Sequence, residues 1–205
     1  MRRKNCSQEH YYSSQPKSEP KLGLIRTRLR DEPFEFVTAS SVFSKKRVDA
    51  GTRLLIESMT LPSSGRVLDV GCGYGAVGIA AARFAPSLQV SMTDVNTRAV
   101  RLARENIEIN KVANAEVRCG FLYEPVEDLT FNCVLSNPPV SAGMDTVKAI
   151  ITEAPRVMAT KAALQMVIRS KIGGKTLPAV FEAAFGNCRV LSREGGYRVL
   201  LAEKQ

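Results

Sequence analysis

Two spacings of apolar residues alternate along this chain and predict its elements. Leu22, Leu24, Ile25 and Leu29 are interleaved with Arg26, Arg28 and Arg30; Asp31-Glu32-Pro33 is a turn signal, and Phe34, Phe36 and Val37 open a second apolar run. This is the pattern of a β-hairpin. In residues 48–59, Val48, Leu54, Leu55, Ile56 and Met59 recur at helical spacing, with Asp49 or Ser44 as candidate caps. From Arg66 onward strand and helix alternate. Strands are predicted at 67–70, 88–93, 115–120, 132–136 and 163–169, with helices at 76–84, 96–110, 146–158 and 176–185. Two last strands, 188–192 and 197–202, flank Glu194-Gly195-Gly196, a hairpin turn. This order predicts an α/β domain with a seven-stranded, mostly parallel sheet, helices on both faces and an antiparallel C-terminal hairpin. Residues 1–21 are polar and read as an extended arm. The expected division is an N-terminal extension over 1–47, carrying the first hairpin, and a domain over 48–205.

The length of 205 residues suits one domain with a substantial core, and a hydrophobic fraction of 44% is ordinary for a globular protein. No apolar run reaches the ~18 residues of a membrane-spanning helix. Met1-Arg2-Arg3-Lys4-Asn5 is basic, but Gln8, Glu9 and His10 follow where a signal peptide has its apolar stretch, so a cytoplasmic protein is expected. The five cysteines are scattered with no CxxC spacing and there is one histidine, which argues against a metal site and for reduced thiols. The net charge is +9 and unevenly spread. Residues 1–50 hold 11 basic and 6 acidic groups, residues 51–154 hold 9 and 11, and residues 155–205 hold 9 and 3. Basic flanks around a mildly acidic centre suit a polyanionic partner such as a nucleic acid; a charge spread for solubility gives the same totals.

The centre carries the chemistry. Asp69-Val70-Gly71-Cys72-Gly73-Tyr74-Gly75 lies between a predicted strand and helix. Glycines there allow positive φ and close approach of a ligand, and the helix start beyond presents unpaired N–H groups. About 20 residues on, Asp94 ends the next strand, where a carboxylate accepts hydrogen bonds from a ribose diol. The pair predicts an adenosine-bearing cofactor at the switch point of a Rossmann-like sheet. Gly73-Tyr74-Gly75-Ala76-Val77-Gly78 formally fits the dinucleotide fingerprint. Asp69 favours S-adenosylmethionine instead: a carboxylate at the turn repels a pyrophosphate and attracts an α-ammonium group. A dehydrogenase reading also lacks a convincing acid–base group for hydride transfer.

Asn137-Pro138-Pro139 follows the fourth strand of the alternating series. An exocyclic amine has a delocalised lone pair and must pyramidalise to attack a methyl sulfonium. Acceptors aimed at its N–H bonds favour that change. The Asn137 side-chain carbonyl and the Pro138 main-chain carbonyl supply them, and Pro139 restricts Pro138. A Pro-Pro turn that merely ends a strand is the plainer reading.

Asp69-x-Gly71-x-Gly73-x-Gly75, Asp94 and Ser136-Asn137-Pro138-Pro139 together resemble the class I methyltransferases of the small-domain superfamily. His10-Tyr11-Tyr12, Phe43-Ser44 with Asp49-x-Gly51-Thr52, Ala142-Gly143 and Gly196-Tyr197-Arg198-Val199-Leu200 look like its 16S-type ribosomal RNA guanine-N2 branch. The resemblance implies methyl transfer from S-adenosylmethionine to an exocyclic amine, guanine N2 in ribosomal RNA, with the RNA or ribosomal subunit as partner. Val140 stands where adenine- and glutamine-directed relatives carry an aromatic, and Cys119-Gly120-Phe121 stands where relatives often place an acid near the adenine. Phe121 or a backbone group is the candidate for that role. Phe43 is read either as core or as cover for the pocket, Asp49 as a helix cap or a pocket residue, and Tyr11 and Tyr12 as base-stacking residues or as pins for the arm. Arg26, Arg28, Lys45, Lys46 and Arg47 are candidate phosphate contacts or solvated surface charges. The rival functions are a protein glutamine-N5 methyltransferase and a non-catalytic RNA-binding module of the same fold.

Overall fold

The computed structural model describes residues 22–39, 47–138 and 143–205. The expectations for Tyr11, Tyr12, Phe43, Lys45, Lys46, Pro139, Val140 and the arm over 1–21 fall outside these residues.

Strands β1 (Leu22–Leu29) and β2 (Glu32–Ala39) form the antiparallel hairpin; Arg30 and Asp31 at its tip have positive φ. Helix α1 (Ala50–Ser58) begins at Asp49, whose carboxylate accepts the N–H groups of Gly51 and Thr52. The alternating series follows: β3 (Arg66–Val70), α2 (Ala76–Phe84), β4 (Gln89–Asp94), α3 (Thr97–Ile109), β5 (Ala115–Cys119), β6 (Phe131–Ser136), α4 (Met144–Glu153), β7 (Met158–Arg169), α5 (Ser170–Gly173), α6 (Leu177–Phe185), β8 (Arg189–Glu194) and β9 (Tyr197–Glu203). The seven strands of the main sheet lie in the order β5-β4-β3-β6-β7-β9-β8. All pairings are parallel except those of β9 with β7 and β8. The chain leaves β3 toward one edge and returns to β6 on the other side of it, so their carboxyl ends open the crevice that such sheets use for ligands.

Two apolar layers cover the sheet. In β6, Cys133 and Leu135 join a core with Leu55, Ile79, Val167 and Val199, whereas Val134 joins Ile151, Leu164, Phe181 and Leu200 on the opposite face. A strand buried on both sides reads as a continuous apolar run, as Cys133-Val134-Leu135 does. Among the described residues no helix is long and apolar enough to cross a membrane.

Two features depart from the expected elements. The helix expected to reach 158 ends at Glu153, and a 3-10 turn over Ala154–Arg156 follows. Pro155 has no N–H to continue the helical hydrogen-bond ladder. The next strand therefore starts at Met158, opposite Phe131, and runs 12 residues. The first hairpin, expected on an extension, shares the main core. Ile25, Leu29, Phe34 and Phe36 are buried there, Phe34 meets Phe84 edge-on, and Phe36 packs on Tyr74.

Candidate active site

The glycine turn is tied across to β4. Gly71 and Cys72 donate to the Thr93 carbonyl at 2.9 and 3.0 Å, and Gly73 donates to Asp94 Oδ2 at 2.8 Å. Gly71, Gly73 and Gly75 all have positive φ, and a Cβ built on Gly71 meets no atom of the described residues within 4 Å. The turn thus borders open space that a side chain would fill. Asp94 is buried, and its second oxygen accepts the Asn96 N–H at 2.8 Å. Its carboxylate fixes the turn and the start of α3 as well as standing at the predicted ribose position.

Asp69 is also buried, and its Oδ2 accepts the N–H of Gly78 in α2 at 2.9 Å. Burial raises its pKa to about 7; the Gly78 N–H opposes that rise and the charge of Asp94 adds to it. Gly78 is explained by packing, since a Cβ there would lie 2.5 Å from the Met92 side chain. Helix α2 starts after Gly75, which has no side chain to cap it; Asp69, from β3, takes the N–H of Gly78 in its first turn instead. Phe121 follows β5 and is 44% exposed, and the adjacent Gly120 N–H donates to the Asp94 carbonyl.

At the end of β6 the Ser136 hydroxyl donates to the Val70 carbonyl at 2.9 Å, binding the two switch-point strands together. Asn137 is half-buried and Pro138 buried. Asn137 Nδ2 lies 2.8 Å from Thr52 Oγ1 and 3.4 Å from Asp49 Oδ2. A carboxylate only accepts, so the amide must turn its NH2 toward Asp49 and its Oδ1 away. Asp49 therefore has both of the roles left open for it: it caps α1 and it orients Asn137. Burial, with the nearby charge of Asp49, pushes the Tyr74 hydroxyl well above its ordinary pKa.

The structure thus gathers Asp69, Gly71, Gly73, Gly75, Asp94, Asn137 and Pro138 around the carboxyl ends of β3, β4 and β6. It does not gather the arginines of the hairpin there. Arg26 and Arg28 line an open groove of about 580 Å³ with Arg83 and Lys111; Arg26 is ion-paired to Glu35 at 2.7 Å, and Arg28 donates to the Asp31 carbonyl. Arg47 is exposed just before α1. Thr52 as a partner of Asn137 was not visible in the sequence. The one local signal is a capping aspartate followed by small residues, Gly51 and Thr52, in the first helical turn.

The family "Methyltransferase small domain" matches residues 33–201. The chain belongs to this family. Among its relatives, the uncharacterized protein YbxB of Bacillus subtilis (strain 168) is 38% identical over 198 residues, covering 96% of this chain and 98% of YbxB. The ribosomal RNA small subunit methyltransferase C of Escherichia coli O6:H1 is 31% identical over 169 residues, covering 80% of this chain and 48% of that protein. The fold superposes on a T. thermophilus 16S rRNA N2 methyltransferase solved with AdoMet and guanosine, at TM-score 0.82 and 23% identity over 93% of this chain and 52% of that one. The chain spans about half the length of the ribosomal RNA methyltransferases it matches and nearly all of YbxB. Small-domain methyltransferase membership and a methyltransferase fold are thereby established for this protein.

Proposed function

We propose that this methyltransferase moves the methyl group of S-adenosylmethionine to N2 of a guanine in ribosomal RNA, a reaction of the cytoplasm. The observation that carries the reading is the orientation of Asn137, whose NH2 is engaged by Thr52 and Asp49. Its Oδ1 is left as an acceptor on the side away from α1.

The residues fit the cofactor. The open space beside Gly71 accommodates the methionine portion, and buried Asp69 suits an α-ammonium group better than a pyrophosphate. Asp94 accepts the ribose hydroxyls, and the Phe121 ring gives apolar cover for the adenine. When bound, the cofactor supplies an electrophilic methyl group. Asn137 Oδ1 and the Pro138 carbonyl then accept the two N–H bonds of the amine, holding its lone pair in line and favouring pyramidalisation. No strong base is needed beforehand, because the methylated product is acidic enough to lose its proton to water. The target guanine must be unpaired or flipped to reach these acceptors. RNA as substrate is supported by the basic flanks and by relatives named for ribosomal RNA methylation.

Radiolabelled methyl transfer into a mixture of cellular RNA and protein, followed by nucleoside analysis, tests this. Label is expected in N2-methylguanosine. Label in protein glutamine, or in another nucleoside, overturns the target assignment.

A further inference from the structure

A cation near the reacting base favours a polyanionic substrate, and among the described residues Asp49 and Thr52, the side chains bonded to Asn137, carry no positive charge. The sheet places one beside them. Side chains alternate along a strand. Cys133 and Leu135 of β6, and Val167 of β7, face the core shared with α1, and Gln165 of β7 bonds Thr60 just beyond α1. Asn137 and Arg169 continue these two rows, on adjacent parallel strands and on the same face. Ser136 is level with Met166. Three further residues at about 3.3 Å each carry Arg169 roughly 10 Å along, toward the end of the sheet where Asn137 follows β6.

Arg169 is exposed but ordered. Its guanidinium lies 5.2 Å from the centroid of the Tyr197 ring, and its Nε donates to the Tyr197 hydroxyl at 3.0 Å. The same ring packs on α1: a Cβ on Gly51 would meet Tyr197 Cε1 at 2.9 Å and Asp49 Oδ2 at 3.0 Å. Contacts therefore run without a break from Arg169 through Tyr197 and Gly51 to Asp49 and Asn137. Glu194 lies opposite Tyr197 on β8, yet among the described residues Arg169 has no ion-pair partner. The segment that follows brings Lys171 and Lys175, and Arg198 secures it by donating to Ser170 Oγ and to the Gly174 carbonyl, each at 3.2 Å. A planar fork already held in place loses little freedom on meeting an anion.

We propose that Arg169, braced by Tyr197, binds the phosphodiester next to the target nucleotide and so sets the base in register with Asn137. This rests on the ribosomal RNA reading above. RNA is favoured over an acidic protein because residues 155–205 hold 9 basic groups against 3 acidic ones.

The test is equilibrium binding of the full chain to transcribed 16S ribosomal RNA over a series of salt concentrations. Arg169→Ala is expected to weaken binding about five- to tenfold and to reduce the slope of log affinity against log salt by about one. Arg169→Lys is expected to fall between, because lysine keeps the charge but loses the stacked fork. Lys161→Ala removes an exposed charge near the other end of β7 and serves as the control, with a loss below about twofold. Each variant is checked for a melting temperature raised by S-adenosylmethionine. Wild-type affinity and slope in Arg169→Ala, or an equal loss in Lys161→Ala, overturns the proposal. A wild-type protein that binds no RNA overturns the ribosomal RNA reading itself, and the proposal with it.

Discussion

Asp69 is buried, and its pKa of about 7 means that the free protein favours the neutral acid well above the ordinary carboxylate value of 3.8. The folded state therefore holds a proton that the unfolded chain releases between those values. This group's contribution to stability is full below about pH 4 and is lost as pH rises toward about 7. A bound α-ammonium group reverses the preference. The affinity for S-adenosylmethionine should rise by up to about tenfold per pH unit below 7 and level off above it, until the ligand's own amino group loses its proton near 8. Calorimetric titration from pH 5.5 to 8 reads this directly. Asp69→Asn should bind more weakly and without that dependence, and an unchanged profile would remove Asp69 from the ammonium site. Asn137 makes the second residue-scale prediction. Asn137→Ala should cost on the order of a hundredfold or more in turnover, with cofactor affinity little changed. Thr52→Val, which keeps the shape and removes the hydroxyl, should cost roughly tenfold, the worth of one hydrogen bond. Single-turnover kinetics separates the two, and an unaffected Thr52→Val would mean that Asn137 needs no holder. Asp69, Asp94 and Asn137 were legible in the sequence because each sits at a fixed place in a strand–turn–helix motif. Thr52 and Asp49 stand 85 and 88 positions from Asn137, and no local spacing encodes that contact.

At the scale of elements, the hairpin is where sequence and structure part most. Its alternation was plain, and β1 and β2 form as expected, but the pattern says nothing of what the buried face meets. That is decided by α3. Asn106 is fully buried and bonds Val37 through both its N–H and its carbonyl, at 2.7 and 2.9 Å, and it also donates to the Tyr74 carbonyl at 2.8 Å. Asn110 repeats the arrangement one turn later with Glu35. Two asparagines thus stand in for a neighbouring strand and satisfy the edge of β2, while Phe36 closes over Tyr74 of the glycine turn. Asn106→Ala leaves these groups buried without partners and should cost about 2–3 kcal/mol of stability. Hydrogen exchange should show the Val37 amide losing protection first. If its protection stays at the wild-type level, the hairpin is held by its apolar face alone. The late start expected for β7 has a simpler cause. Residues 158–162 include Thr160 and Lys161 and look polar, but pairing with β6 and β9 extends the strand through them.

At the scale of the molecule, the uneven charge was legible as a total but not as a surface. The total of +9 points to a polyanion without saying which cations meet it. The hairpin arginines were the natural candidates, because they alternate on one strand. In the fold Arg26 is already neutralised by Glu35 at 2.7 Å, and the groove it lines lies toward the ends of α2 and α3 remote from the glycine turn. An RNA phosphate recruiting Arg26 must first displace a carboxylate, whose exposed pairing is weak but whose negative charge also repels the strand. RNA binding by the wild-type chain should weaken steeply with salt, whereas S-adenosylmethionine binding, governed by buried carboxylates, should change little between the same concentrations. Within the RNA series, Arg26→Ala should reduce the salt slope by less than about half a unit, because the Glu35 carboxylate that Arg26 leaves takes up a cation as the phosphate releases one. A loss of a full unit for Arg26→Ala would instead put the RNA backbone on the outer face of the hairpin, and the path of the strand toward Asn137 would then run from β1 across Tyr74 rather than from the end of β7.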